Sequence, residues 1–186
     1  MSDHEAALVA AARGGDRPAF EELVRRTSRL VFARLYLDTG CAERAEDLVQ
    51  ETFLSAYRSL AKLADPAGFR SWLLSIAHNA LIDDARRATR LKRMNPLLMS
   101  VPLDAVTSAG PSPVEIVERE ELRQRVLAAL RSLPEEYRLP LTLRYITGAD
   151  ADDIGRQLGL SNGSLRGLLY RGLKLLRDRL PRELVG

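Results

Sequence analysis

The chain has 186 residues, 46% apolar and 28% charged, which is enough for at least one sizeable core and too apolar for a disordered chain. No apolar run approaches the roughly 18 residues of a membrane span, and the opening Met1-Ser2-Asp3-His4-Glu5 carries acid where a signal peptide carries Lys or Arg, so a cytoplasmic protein is expected. The net charge is only +3, and the single cysteine, Cys41, excludes an intramolecular disulfide and a cysteine-cluster zinc site.

Gly and Pro fall at intervals and period-two alternation is absent, so the expected class is all-α. A first helix over about 3–13 opens with the box Ser2-x-x-Glu5 and closes at Gly14-Gly15. A second follows Asp16 with Pro18 in its first turn, carries Phe20, Leu23, Val24, Thr27, Val31 and Leu35 on one face, and stops at Gly40. A third, about 42–60, repeats the pattern with Ala45, Leu48, Val49, Phe53, Ala56 and Leu60. Asp65-Pro66 breaks the chain before a fourth, whose Phe69, Trp72, Leu73, Ile76, Ala77, Ala80 and Leu81 share a face. Trp72 repeats with Phe69 and Ile76, which makes it core rather than a stacking platform. The far end of this helix is a basic stripe of Arg86, Arg87, Arg90, Lys92 and Arg93. Four complementary stripes predict an N-terminal four-helix bundle over residues 1–93.

Residues 94–112 are Pro-rich and read as an extended linker. Helix resumes at Ser112-Pro113-Val114-Glu115, with Leu122, Val126, Ala129, Leu130 and Leu133 as its expected core face. Ser132-Leu133-Pro134-Glu135 looks like a further box, opening a helix with Tyr137, Leu141 and Tyr145, kinked by Pro140 and ended by Gly148. Asp150 then caps a short helix with Ile154 and Leu158 inward. Gly159 supplies a left-handed turn, and Ser161 caps a last helix with Leu165 and Leu169 inward. That is helix-turn-helix chemistry, and residues 113–186 form the expected C-terminal four-helix unit. An ordinary helical hairpin would share the turn, but this turn coincides with a second basic stripe of Arg156, Arg166, Arg171, Lys174, Arg177, Arg179 and Arg182. The geometry puts Asn162, Ser164, Arg166, Gly167, Tyr170 and Arg171 toward a major groove, with Lys174 reaching phosphate. Gly163, Gly167 and Gly172 each weaken that helix by roughly 1 kcal/mol relative to Ala, so either something approaches its backbone closely or it firms up on docking.

The order of parts resembles the extracytoplasmic-function (ECF) group of bacterial sigma factors over nearly the whole chain. Residues 19–26, AFEELVRR, look like the family's first segment; residues 45–53, AEDLVQETF, like its core-polymerase-binding segment; and residues 69–79, FRSWLLSIAHN, with Asp83, Arg86 and Arg87, like its promoter-melting and minus-ten-reading segment. Leu133-Pro134, Leu143-Arg144-Tyr145, Gly148, Ile154, Leu158-Gly159, Ser161 and Gly163 resemble the minus-thirty-five-reading domain. The departures lie there: Leu168 stands where the family usually has Arg, and glycine stands at 167 and 172.

The resemblance implies a region-2-like bundle joined by the linker to a region-4-like helix-turn-helix domain. It implies core binding by Asp47, Leu48, Val49, Gln50 and Glu51, and minus-ten contacts from Asn79, Asp83, Arg86, Arg87 and Arg90. The partners implied are RNA polymerase core enzyme, promoter DNA and an anti-sigma factor. Local physics agrees, since Asp47, Gln50 and Glu51 make an acidic outer strip on a helix whose other face is core, and Arg86, Arg87 and Arg90 can follow phosphates. No catalytic group, metal or cofactor is expected: Cys41 is alone, and the two histidines, His4 and His78, pair with nothing at ligand spacing. A sigma-like decoy that titrates an anti-sigma factor, or a stand-alone helix-turn-helix regulator, would use part of these features.

Overall fold

The computed structural model describes residues 3–94 and 113–180. The expected linker beyond residue 94, and Ser2 and Ser112 of the expected caps, lie outside the described residues. Among those described the fold is all-α, as the punctuation implied.

The N-terminal unit comprises α1 (Asp3–Arg13), α2 (Arg17–Thr39), α3 (Ala42–Ser59) and α4 (Phe69–Met94), with short 3-10 turns at Leu60–Lys62 and Pro66–Gly68. Several boundaries have a local cause. An Asp16 carboxylate oxygen accepts from the Ala19 backbone N–H at 3.1 Å, which starts α2, and Gly40 ends it at φ +69°. The Asp65 carboxylate accepts from the Ala67 N–H at 2.8 Å and fixes the turn into α4. Leu23, Val31, Leu35, Leu48, Phe53, Phe69 and Leu73 fill the core between these helices. Trp72 is half-buried against it, 6.0 Å from Phe69 between ring centroids. Glu5 has a distant partner. It is buried, and both its oxygens accept from the Arg70 Nε, at 2.9 and 3.1 Å.

The C-terminal unit comprises α5 (Pro113–Ser132), α6 (Glu135–Tyr145), α7 (Ala151–Leu158) and α8 (Asn162–Arg177). Three local expectations change. Ser132 Oγ donates back to the Ala129 carbonyl at 2.7 Å, and Pro134 occupies the cap of α6, so the expected box there does not form. Leu122, expected on the core face of α5, is exposed. Leu127, off the expected stripe, is buried in the core of the N-terminal bundle.

That last contact belongs to a wider one. Besides the face toward its own bundle, α2 carries a second apolar stripe, Leu30, Ala33 and Leu37, at three-four spacing. All three are buried: Leu30 and Ala33 cluster with Leu143, Ile154 and Leu165, and Leu37 with Leu130, Leu133 and Leu141. The helix is sandwiched between the two units.

Candidate functional site

Three exposed faces carry the candidate residues. On α3, Asp47 and Gln50 are exposed, while Val49 and Glu51 are half-buried. Leu48 is the exception in its group. At 3% exposure it belongs to the bundle core, so it can support a docking surface from beneath but not touch a partner. Beside the strip runs a groove of about 640 Å³ between α2 and α3, lined by Phe20, Val24, Val49, Phe53, Leu54 and Tyr57. Leu54 and Tyr57 are 58% and 51% exposed, and Tyr57 meets the Phe20 ring edge-on at 5.0 Å. Sequence reasoning missed this pair. Their signal was available: two large apolar residues, three apart, off the stripe that builds the core.

On α4, Asn79, Asp83, Arg86, Arg87 and Arg90 are all exposed. Twenty-six residues make it about 39 Å long. Arg87 Nη2 donates to Glu51 Oε2 at 2.7 Å, and a second pair, Arg44 with Asp84, also ties α3 to α4. The hydrogen bond to the Glu51 carboxylate, reinforced by its charge, raises the Arg87 guanidinium above its ordinary pKa. Arg86 sits 3.4 Å from Asp83. The first two faces are therefore joined by a direct bond.

The third face is the helix-turn-helix. An Asp150 carboxylate oxygen accepts from the Asp153 N–H at 2.7 Å, Gly159 turns the chain at φ +67°, and Ser161 Oγ accepts from the Ser164 N–H at 3.2 Å. Gly155 lets the turn close, since a Cβ there would lie 2.9 Å from the Leu160 carbonyl oxygen. On α8, Asn162, Ser164, Arg166, Tyr170, Arg171 and Lys174 are exposed and Gly167 is half-buried. Asn162 Nδ2 donates to Asp152 Oδ1 at 3.3 Å, and Ser161 and Ser164 hydroxyls lie 2.9 Å apart. The start of the helix is thus held by its cap. Arg166, Tyr170 and Lys174 form one outward row at four-residue spacing, with Tyr170 73% exposed.

The three interior glycines separate by cause. A Cβ on Gly172 would meet Leu141 Cδ1 at 3.1 Å and Tyr137 Cβ at 3.2 Å, so this glycine permits the close packing of α6 on α8. Gly163 faces open space, and a Cβ on Gly167 would have only the Arg171 guanidinium nearby, at 3.4 Å. Bare backbone is thus presented on the exposed side of α8. Among the described residues no group of three or more His, Cys, Asp or Glu side chains is placed to hold a metal ion, and no helix is long and apolar enough to cross a membrane.

Two family models match the chain: sigma-70 region 2 over residues 23–91, and sigma-70 region 4 over residues 123–176. The ECF RNA polymerase sigma factor SigE of Mycolicibacterium smegmatis is 36% identical over 166 residues, 89% of this chain. The chain spans 63% of SigE's length. The RNA polymerase sigma factor CarQ of Myxococcus xanthus is 34% identical over 168 residues, 90% of this chain and 92% of CarQ. Among solved structures, CnrH in complex with the cytosolic domain of CnrY is 27% identical, with 95% of this chain and 96% of that one covered at a TM-score of 0.48.

Proposed function

The chain belongs to the ECF group of bacterial sigma factors, and on that premise we propose that it binds RNA polymerase core, directs it to particular promoters and helps to melt the minus-ten region. It acts in the cytoplasm as an initiation factor and not as an enzyme. Its working parts are a core-binding and minus-ten-reading domain over residues 1–93, a linker over 94–112, and a minus-thirty-five-reading domain over 113–186. The observation that carries this reading is the strip of Asp47, Gln50 and Glu51 bonded to the basic end of α4, which sets a polymerase-facing surface beside a cationic track.

Asp47, Val49, Gln50 and Glu51 contact core, with the Leu54 and Tyr57 groove adding apolar area. Asn79 hydrogen-bonds an unpaired base edge, while Arg86, Arg87 and Arg90 hold phosphates and Asp83 orients Arg86. Arg166, Tyr170, Arg171 and Lys174 enter the upstream major groove, and bare Gly167 lets the duplex approach. An anti-sigma factor is the expected regulator. The decoy reading drew on the glycines of α8, and the packing use of Gly172 weakens it.

Run-off transcription with purified bacterial core on selected promoters tests the activity. The double charge reversal Asp47→Lys with Glu51→Lys is expected to lower core affinity by tenfold or more at unchanged helicity. Undiminished affinity would remove this face from the interface.

A further inference from the structure

The first two turns of α8, from Asn162 to Leu169, lead the helix toward DNA in the proposed mode, and they carry one cation of their own, Arg166. A second is supplied from further along. Arg171 Nη1 and Nη2 lie 3.4 and 3.7 Å from the point where a Cβ on Gly167 would stand, and Cζ lies farther, at 3.8 Å. Both nitrogens are thus nearer to Gly167 than the carbon that bears them. The guanidinium fork points back along the helix, over the glycine four positions before it, in the direction that helical side chains take. This moves its charge about 6 Å toward the reading end of α8 relative to its own Cα.

The slot exists because Gly167 has no side chain. Residues four apart are neighbours on a helix surface, so any group extending beyond Cβ at 167 competes with Arg171 for the same place. A methyl alone would fit in contact with the fork, and a branched side chain would not. The other two interior glycines differ: Gly163 faces open space, and the place of a Cβ on Gly172 is crowded by Leu141 and Tyr137. Arg171 also differs from other arginines of the unit. Arg156 is paired with Asp153 at 3.7 Å, and Arg179 donates to Ser132 Oγ at 2.8 Å. Arg171 is exposed and, among the described residues, has no carboxylate partner, so no ion pair has to break before it meets DNA.

We propose that Gly167 is a positioning residue for Arg171, and that the arginine so placed is a guanine reader of the upstream box. The proposal rests on the helix-turn-helix part of the functional reading above. A planar fork with two parallel N–H groups matches the O6 and N7 acceptors of guanine in the major groove. An arginine held against its own helix loses less rotamer freedom on docking than one that swings freely in solvent. Lys174, further along α8 and without a fork, keeps to phosphate. Substitutions at 167 therefore separate by shape: a methyl leaves the slot open, whereas a branched side chain closes it.

Duplex selection with the full chain tests this, followed by binding measurements and by run-off transcription with purified bacterial core on the selected promoter. Each base pair of the upstream box is changed in turn. The native chain is expected to prefer guanine at one position by about tenfold or more, and Arg171→Ala is expected to lose that preference. Gly167→Val should lose it too, at the same position and with an unchanged salt slope, because the phosphate contacts remain. Gly167→Ala should keep it. Val costs a helix no more than Gly, and circular dichroism checks the fold; Gly167→Thr, of the same branched shape, repeats the test where the Val variant fails to fold. In Arg171→Ala protein, Gly167→Val should have no further effect on binding. A folded branched variant that keeps the guanine preference overturns the proposal. So does an equal loss of affinity for the box with and without Arg171, since the glycine would then act only by admitting the duplex. A native chain that selects no duplex, or shows no guanine preference that Arg171→Ala removes, also overturns it. Guanine discrimination of the expected pattern with no transcription by core would instead overturn the sigma-factor reading and leave this proposal standing.

Discussion

Glu51 Oε2 accepts a hydrogen bond from Arg87 Nη2 at 2.7 Å, so one residue of the proposed polymerase strip holds one residue of the proposed DNA track. The pair is about half exposed on both sides, which makes it a weak contributor to folding and a better candidate for setting where the Arg87 charge points. Glu51→Gln is therefore expected to leave the melting temperature nearly unchanged. It should weaken core binding, because a carboxylate leaves the strip, and tighten binding of single-stranded DNA about two- to fivefold, because Arg87 is released. Fluorescence anisotropy with labelled core and with an oligonucleotide measures both; effects of the same sign would show that the pair does not link the two faces.

The glycines of α8 predict opposite stability changes from the same substitution. Gly172→Ala forces a methyl against Leu141 and Tyr137 and should destabilise the protein by about 1–3 kcal/mol, the usual range for overpacking. Gly167→Ala meets only the movable end of Arg171 and should stabilise the helix by about 0.5–1 kcal/mol. Denaturant unfolding of the two variants distinguishes them. Equal signs would mean that the packing of α6 on α8 is not what requires Gly172.

Local signals explain most of what the sequence made legible. The caps Asp16, Asp150 and Ser161 and the left-handed turns at Gly40 and Gly159 lie where a side-chain oxygen or a missing Cβ acts on neighbouring backbone, and those are readable a few residues at a time. The same is true of the exposed rows on α4 and α8. What escaped were choices made by distant partners. Read locally, Glu5 is a capping candidate, and nothing near it announces that Arg70, 65 positions away, donates to both its oxygens. Leu30, Ala33 and Leu37 are visible as apolar letters, but one apolar face already explained α2, and nothing local says that a second unit covers the other. Leu127 lay outside its expected stripe for the same reason. Leu54 and Tyr57 reverse the case: apolar residues that face outward because the core beside them is already full.

Promoter opening can be separated from adhesion. Asn79 makes no phosphate contact in the proposed mode, whereas Arg86 and Arg90 are cations on an exposed track. Asn79→Ala should lower permanganate reactivity of the melted segment several-fold with little change in the salt dependence of DNA binding. Arg86→Ala with Arg90→Ala should reduce that salt slope by about 2, one unit for each phosphate no longer neutralised. An unchanged slope would take these arginines off the phosphates.

The clamp between α5 and the end of α2 makes a prediction about acid. Hydrogen bonds from Arg123, and secondarily from Gln124, lower the Glu120 carboxyl to about 2 from its ordinary value of 4.5. Arg123 is itself held above its ordinary range by Glu120 and then by the Tyr36 hydroxyl, 3.2 Å from its Nη1, while the same nitrogen donates to the Gly40 carbonyl. Glu120 thus steadies the arginine that joins the two units. Because its folded value lies below its unfolded one, its contribution is fully present above about pH 4.5 and is lost as the pH falls toward about 2. The contact between α5 and the end of α2 should therefore be insensitive to this group across the neutral range, and Glu120→Gln should already loosen the Arg123 contact at pH 7. Carboxyl-carbon NMR titration of the full chain reads the midpoint directly. A Glu120 midpoint near 4.5 would mean that Arg123 is not held by this carboxylate in solution.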